Sequence, residues 1–318
     1  MRAYRIERIG DPARLVDLPV PEPGPGQIRL RIRACGLNFA DLLMQKGSYQ
    51  DTPPAPFTQG LEAAGEVDAL GEGVRGIAPG DRVAVYCGQG GLAEYGVFDA
   101  ARAVRIPQAM PFEDAAAFQV AYGTGHMALD YRARMQKGET LLVTGAAGGV
   151  GLTAVELGKL MGARVIAQAR GAEKLEIARR AGADHLIDAD EDLRARVLEL
   201  GGADVVYDAI GGDVFKAAFR ACNPEARLIP IGFAGGEVPQ IPANHLLVKN
   251  LTVIGFYIGG YLKFRPEAVT RSFETLIGWY LEGRLKPHVS HVLPLEHAGE
   301  GLDLLRRRAA TGKVVITP

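Results

Sequence analysis

The chain has 318 residues, long enough for two domains of about 100–200 residues each. With 47% hydrophobic residues, 23% charged residues and a formal net charge of −1, it is not a disordered chain, and it has no basic excess for nucleic acid or an anionic membrane. Its 41 glycines are about 13% of the total against an average near 7%, without the every-third-residue period of collagen. Residues 1–115 read as β-rich, with strand-like runs at 28–32, 62–70, 82–86 and 92–97. Turn signals separate them: PEPGPG at 21–26, GEGVRG at 71–76 and PGD at 79–81. Such punctuation fits an antiparallel barrel or sandwich. From about 116 the rhythm changes. Apolar runs at 141–144, 165–168, 204–208, 228–231 and 251–255 alternate with helical stretches such as 151–161. That pattern predicts a parallel sheet covered on both faces. A helix at 267–283, a strand at 289–293, a helix near 296–308 and a strand at 314–317 close the chain, and these last strands are expected to return to the first domain.

Cys35, Cys87 and Cys222 are too dispersed for a disulfide framework or a thiolate zinc site. The charged N-terminus carries no secretory signal pattern, and no run approaches 18 apolar residues. A cytoplasmic protein without a membrane span is the expectation.

Residues 141–151 read LLVTGAAGGVG, a strand followed by Gly145, Gly148 and Gly151 and then a helix. Glycine at this spacing permits a tight turn, close approach of a pyrophosphate to the main chain, and close packing of helix on strand. The helix N-terminus then offers N–H groups and a positive dipole to the anion. Gly145, Ala147, Gly148, Gly149, Val150 and Gly151 are therefore candidate cofactor residues. The next strand ends in Gln168, Ala169 and Arg170, with Lys174 following and no acid where an NAD site places one. Arg170 and Lys174 are candidates for a 2′-phosphate, which favours NADPH; the alternative is that both are surface charges. Glycines also follow the later strands, so Ala209–Gly211 and Gly232–Ala234, including Phe233, are expected to line the cofactor or to form ordinary turns.

Taken together, RIRACGLNFADLLMQKGSY (31–49), QGLEAAGEVDALGEGV (59–74), GDRVAVY (80–86), GLAEY (91–95), GAAGGVG (145–151) and GKVVI (312–316) resemble the medium-chain dehydrogenase/reductase superfamily. Within it the chain is similar to the zinc-free, zeta-crystallin-like quinone oxidoreductases. The resemblance implies an α/β protein: a GroES-like β-rich domain from 1–117 and 261–318, and a doubly wound Rossmann domain at 118–260, with the cofactor in the cleft between them. It implies a homodimer. It places Thr124 near the nicotinamide and Lys313 near the 2′-phosphate.

Zinc-dependent relatives have a cysteine where this chain has Asn38 and a histidine where it has Leu61. His288 and His291, at odd spacing on or beside a strand, are expected on opposite faces. No zinc is expected, so the acceptor should be one that takes hydride without a Lewis acid, such as a quinone or an activated double bond. The resemblance nominates Asn38, Asp41 and Tyr49. Asn38 and Tyr49 would donate to an acceptor oxygen, and an exposed, ionised Asp41 would orient. Asn38 as a helix cap and Tyr49 as a packing aromatic are the alternatives. Leu43 stands where some relatives have a second tyrosine, and HLIDAD (185–190) lacks a tyrosine that others place near the phosphate. The expected activity is NADPH-dependent quinone reduction. The alternatives are an alkenal, enone or enoyl-thioester reductase and a non-enzymatic crystallin-like or RNA-binding protein, the last disfavoured by the neutral charge.

Overall fold

Along Gln27–Gly36 the apolar residues Ile28, Leu30 and Ile32 are buried, while Arg29, Arg31 and Arg33 between them are more exposed. This is the period of a strand with one face on a core. The buried set packs with Val67, Val83, Val85 and Phe98 from neighbouring strands. The computed structural model describes residues 1–318. They form two compact units, Met1–Val120 with Pro287–Pro318, and Ala121–Lys286.

In chain order the first unit holds β1 (Arg2–Ile6), β2 (Arg14–Asp17), β3 (Gln27–Gly36), α1 (Phe39–Gln45), β4 (Phe57–Thr58), β5 (Glu62–Leu70), β6 (Arg82–Tyr86), β7 (Tyr95–Asp99), β8 (Ala103–Arg105) and α2 (Phe112–Ala116). Then α3 (Gln119–His126) leads into β9 (Thr140–Thr144), α4 (Gly149–Leu160), β10 (Arg164–Ala169), α5 (Ala172–Arg180), β11 (His185–Asp188) and α6 (Leu193–Glu199). There follow β12 (Ala203–Asp208), α7 (Gly212–Arg220), β13 (Cys222–Pro230), α8 (Ala243–Lys249), β14 (Thr252–Val253), α9 (Ile258–Phe264) and α10 (Pro266–Leu281). The chain ends with β15 (Val289–Pro294), α11 (Ala298–Arg306) and β16 (Lys313–Thr317).

The first unit carries a three-stranded sheet, β2-β1-β4, and a seven-stranded sheet, β15-β16-β3-β5-β6-β8, with β7 also on β3. The expected strand at 92–97 is divided. Ala93 bridges Ala3 of β1, and only from Tyr95 does the chain pair with β3. β16 lies between β15 and β3 and runs antiparallel to β3. The C-terminal strands therefore do return to the first unit, but the return begins at Pro287 rather than at 261. The reason is packing: α9 and α10 are bound within the second unit. Ile258 and Phe273 close over Gly123, His126 Nδ1 lies 2.8 Å from Ser272 Oγ, and Arg132 donates to the Tyr261 hydroxyl at 2.7 Å.

The second unit is built on a six-stranded sheet, β11-β10-β9-β12-β13-β14, with all pairs parallel. Every residue of β9 is buried, as a central strand with both faces covered requires. Leu142, Ile166, Val206 and Leu228 of successive strands join Phe215 and Phe219 of α7 in one core cluster. β13 begins at Cys222, ahead of the expected 228; Glu225, at φ +65°, lies where the register with β12 slips. Strand order reverses on either side of β9, so its C-terminal end and that of β12 flank a topological switch point, where ligands of such sheets bind. No helix is long and apolar enough to cross a membrane.

Candidate functional site

The glycine loop leaves β9 at Gly145, whose φ of +65° is disfavoured for any residue with a side chain. Gly151 sits in the first turn of α4, where a Cβ would lie 2.2 Å from the Gly145 carbonyl oxygen. Both positions therefore require glycine, one for its backbone angles and one for the approach of helix to loop. Gly148 is the extended N-cap of α4, with φ −79° and ψ 172°. The leading N–H groups of the helix, at Gly149, Val150 and Gly151, have no carbonyl one turn earlier to bind. Ala147 is buried, while Gly148 is exposed and Gly149 and Val150 are half-buried. β10 braces the same loop: the Gln168 carbonyl accepts the Ala146 N–H at 2.9 Å, and its side-chain Oε1 faces the Gly145 N–H at 3.4 Å. A pyrophosphate fits this arrangement of open N–H groups at a helix N-terminus.

Arg170 is exposed just beyond β10, and Lys174 lies in the first turn of α5. No acid ends β10 itself, but one reaches this turn from the neighbouring strand. Asp188, at the end of neighbouring β11, accepts the Gly171 N–H at 2.9 Å and the Asp190 N–H at 3.1 Å. It lies outside the second strand in sequence, and parallel pairing of β10 with β11 brings it alongside.

One residue that the sequence reading did not single out organises the rest of the rim. Asp208, the last residue of β12, is fully buried. Its carboxylate accepts from the Thr144 hydroxyl, from the Gly211 N–H at 2.9 Å and from the Ile210 N–H at 3.3 Å. Its carbonyl accepts the Ile231 N–H at 2.7 Å. Burial pushes the carboxyl upward, opposed by these donors. The available signal was an acid at a strand end before two glycines, in VVYDAIGG. Ala209 and Gly232 are half-buried beside it, and Phe233 is exposed. Thr124 is buried on α3, and Tyr122 is a core residue whose hydroxyl donates to Glu156.

The first unit places its candidates differently from the sequence reading. Lys313, expected at a cofactor phosphate, is only 4% exposed. Its ammonium donates to the Leu37 carbonyl at 2.8 Å, Asn38 Oδ1 at 2.8 Å and Glu62 Oε1 at 2.7 Å. All three of its protons are taken by internal acceptors, so it is corrected from a phosphate ligand to a structural cation. Asn38 is likewise committed. Its Nδ2 donates to the Gly36 carbonyl at 3.1 Å and to Glu62 Oε1 at 2.9 Å, leaving no amide proton for an acceptor oxygen. Glu62 Oε2 accepts the Val120 N–H at 2.8 Å.

Asp41 is fully buried, not exposed. Its carboxylate accepts the Asn38 N–H at 2.9 Å and the Gly60 N–H at 3.2 Å, so it fixes the start of α1. Burial pushes its carboxyl up to about 7, against the pull of those donors and of the Lys313 charge. Tyr49 is half-buried and hydrogen-bonds Tyr86. Burial keeps the Tyr86 phenol well above its ordinary value, hence protonated. Tyr86 was not singled out from sequence.

Two family models match the chain. One, described as an alcohol dehydrogenase GroES-like domain, covers residues 24–108, and the other, a zinc-binding dehydrogenase, covers 149–276. The chain is 40% identical to the quinone oxidoreductase-like protein 2 homolog of Nematostella vectensis, over 99% of this chain and 88% of that one. It is 34% identical to the synaptic vesicle membrane protein VAT-1 homolog of Homo sapiens, over 94% of this chain and 80% of that one. Among solved structures, the quinone oxidoreductase of Thermus thermophilus, studied alone and with NADPH, is similar with a TM-score of 0.88 and 34% identity, with 100% of both chains covered.

The zinc in the second family's description does not fit this donor set. No three His, Cys, Asp or Glu side chains converge as a metal requires. His288 pairs with Thr311 and His291 with Ser290, and the acceptors at Asn38 and Glu62 already hold an ammonium. The two dehydrogenase family matches, the whole-length relatives and this zinc-poor donor set agree: the chain belongs to the medium-chain dehydrogenase/reductase superfamily, in its zinc-free quinone oxidoreductase group.

Proposed function

We propose that this oxidoreductase reduces quinones with NADPH. The observation that carries the reading is the glycine loop at β9–α4, where Gly145 and Gly151 bring loop and helix together and leave the helix N–H groups open. NADPH supplies a hydride when bound. The hydride and one proton convert a quinone to a hydroquinone. The loop residues Gly148, Gly149 and Val150 would hold the pyrophosphate, and Arg170 and Lys174 the 2′-phosphate. Thr124 remains the candidate for the nicotinamide end, with Ala209, Gly232 and Phe233 lining the cofactor.

Of the three substrate candidates, Tyr49 is the one we assign to the acceptor oxygen. Asn38 has both amide protons engaged, and Asp41 is sealed from solvent. A phenol donates to the oxygen on which negative charge develops, a contact stronger in the transition state than in the ground state. Asn38 and Asp41 then act on the shape of this region rather than on the acceptor.

We further assign the protein to the cytoplasm, which suits three free, buried cysteines, and to a homodimer. Edge strand β14 and the exposed Leu247 and Val248 of α8 support the dimer. The test of function is NADPH oxidation against a panel of quinones, enones and enoyl thioesters. Quinone turnover that falls at least tenfold in Tyr49→Phe is the expected result. Turnover of enones alone would replace the quinone by an activated alkene, and no turnover despite NADPH binding would refute the enzyme reading.

A further inference from the structure

Three loops leave the C-terminal edge of the parallel sheet at the switch point: 145–151, 209–212 and 231–236. One carboxylate residue ties the second and third to the residue that precedes the first. Asp208 takes the Thr144 hydroxyl just ahead of the first loop, the Ile210 and Gly211 N–H groups of the second, and, through its carbonyl, the Ile231 N–H that opens the third. Thr144 reciprocates, accepting the Ala209 N–H at 3.3 Å. Two further main-chain bonds join the second loop to the third, Ala234 N–H to the Ala209 carbonyl at 3.1 Å and Gly235 N–H to the Ile210 carbonyl at 2.8 Å. Ile210 also packs against the first loop, its Cδ1 lying 2.9 Å from where a Cβ on Gly145 would stand.

We infer that Asp208, acting with Thr144, is a positioning residue for the dinucleotide: it sets the spacing of the three loops that would contact the cofactor, without contacting it. The inference rests on the NADPH reading above. Both side chains are fully buried in the second unit, so neither is available as a ligand. Their position has a clear chemical logic. The sheet itself fixes the strands, but the loops lie beyond the last ladder bonds and need their own ties. A buried carboxylate supplies strong acceptors for several donors at once, and an isosteric amide cannot, because its nitrogen would face an N–H.

The test is NADPH affinity by calorimetry on the full chain, with apo-protein melting recorded alongside. Asp208→Asn and Thr144→Val are expected to raise Kd at least tenfold. Thr144→Ser, which keeps the hydroxyl, should bind within twofold of wild type. The threonine pair keeps the test usable even if Asp208→Asn fails to fold. Wild-type affinity in Thr144→Val would overturn the inference, as would equal weakening in Thr144→Ser, because the hydroxyl would then not be the operative group. Failure of the wild-type chain to bind NADPH would refute the NADPH reading itself, and this inference with it.

Discussion

The Lys313 ammonium lies 2.7 Å from Glu62 Oε1, and the two side chains are only 5% and 0% exposed. Every donor of the lysine is used, and the carboxylate gains two more contacts from Asn38 and Val120. A buried pair of this kind is not large net stabilisation, since removing two charges from water is costly. Breaking it is another matter, because one charge is left buried and alone. Lys313→Met or Glu62→Gln should each cost about 3–5 kcal/mol. The double variant should cost less than the sum of the two. Urea unfolding measures all three; a single variant within about 1 kcal/mol of wild type contradicts the assignment.

Asp41 makes a pH prediction. Its carboxyl lies near 7 in the folded chain and returns toward 3.8 on unfolding. The folded state therefore binds the proton more tightly. The associated stability is fully present below about pH 4 and is lost as pH rises through about 7. The shift corresponds to roughly 4 kcal/mol. Asp208 and Glu156 are displaced the same way, so the wild-type slope is a sum. Asp41→Asn is neutral throughout and removes one contribution. Relative to wild type it should gain a few kcal/mol between about pH 4 and pH 8, read from unfolding free energies at each pH. Parallel curves for the two proteins would show that Asp41 does not titrate in this window.

Glycine substitutions separate helix propensity from packing. Alanine favours a helix over glycine by about 1 kcal/mol. At Gly278 in α10 a Cβ meets nothing within 4 Å, so Gly278→Ala should stabilise by about 0.5–1 kcal/mol. At Gly151 the same change drives a methyl into the Gly145 carbonyl at 2.2 Å. Gly151→Ala should lower the melting temperature and weaken NADPH binding at least tenfold. Unchanged binding in Gly151→Ala would mean that α4 can withdraw without cost to the loop.

Cofactor choice has a separate readout. If Arg170 and Lys174 pair with a 2′-phosphate, Arg170→Ala and Lys174→Ala should each reduce the NADPH-over-NADH preference about tenfold or more, as loss of a charge-assisted hydrogen bond of about 1.5–3 kcal/mol implies. NADH affinity should hardly change. The ratio of Kd values decides the matter, and an unaltered ratio in both variants returns the two residues to the solvated surface.

Local patterns carried much of this fold. The alternation in β3 and the unbroken apolar run of β9 follow from one and two covered faces, and both are visible over a few residues. The glycine loop was equally legible, since its requirement is a property of the backbone. What escaped was non-local. The Lys313–Asn38 contact joins residues 275 positions apart, and it exists only because β16 pairs with β3. Asp41 is expected to be exposed only because aspartate ordinarily is; its burial comes from Gln59 and Gly60, brought against it from another segment. Asp188 and Asp208 sat in plain view at strand ends, but their roles depend on adjacent strands that sequence alone does not align.

The position of β16 also has a temporal consequence. It occupies an interior place in its sheet, with Val314, Val315 and Ile316 fully buried, yet it follows the whole of the second unit in sequence. β3, its neighbour, finds β5 on one edge and β7 along Gln27–Arg31 of the other, but its end at Cys35–Gly36 must wait for β16. The second unit, by contrast, is a single continuous segment, complete as soon as Lys286 has appeared. During translation the second unit can therefore close while the first still waits for β15 and β16.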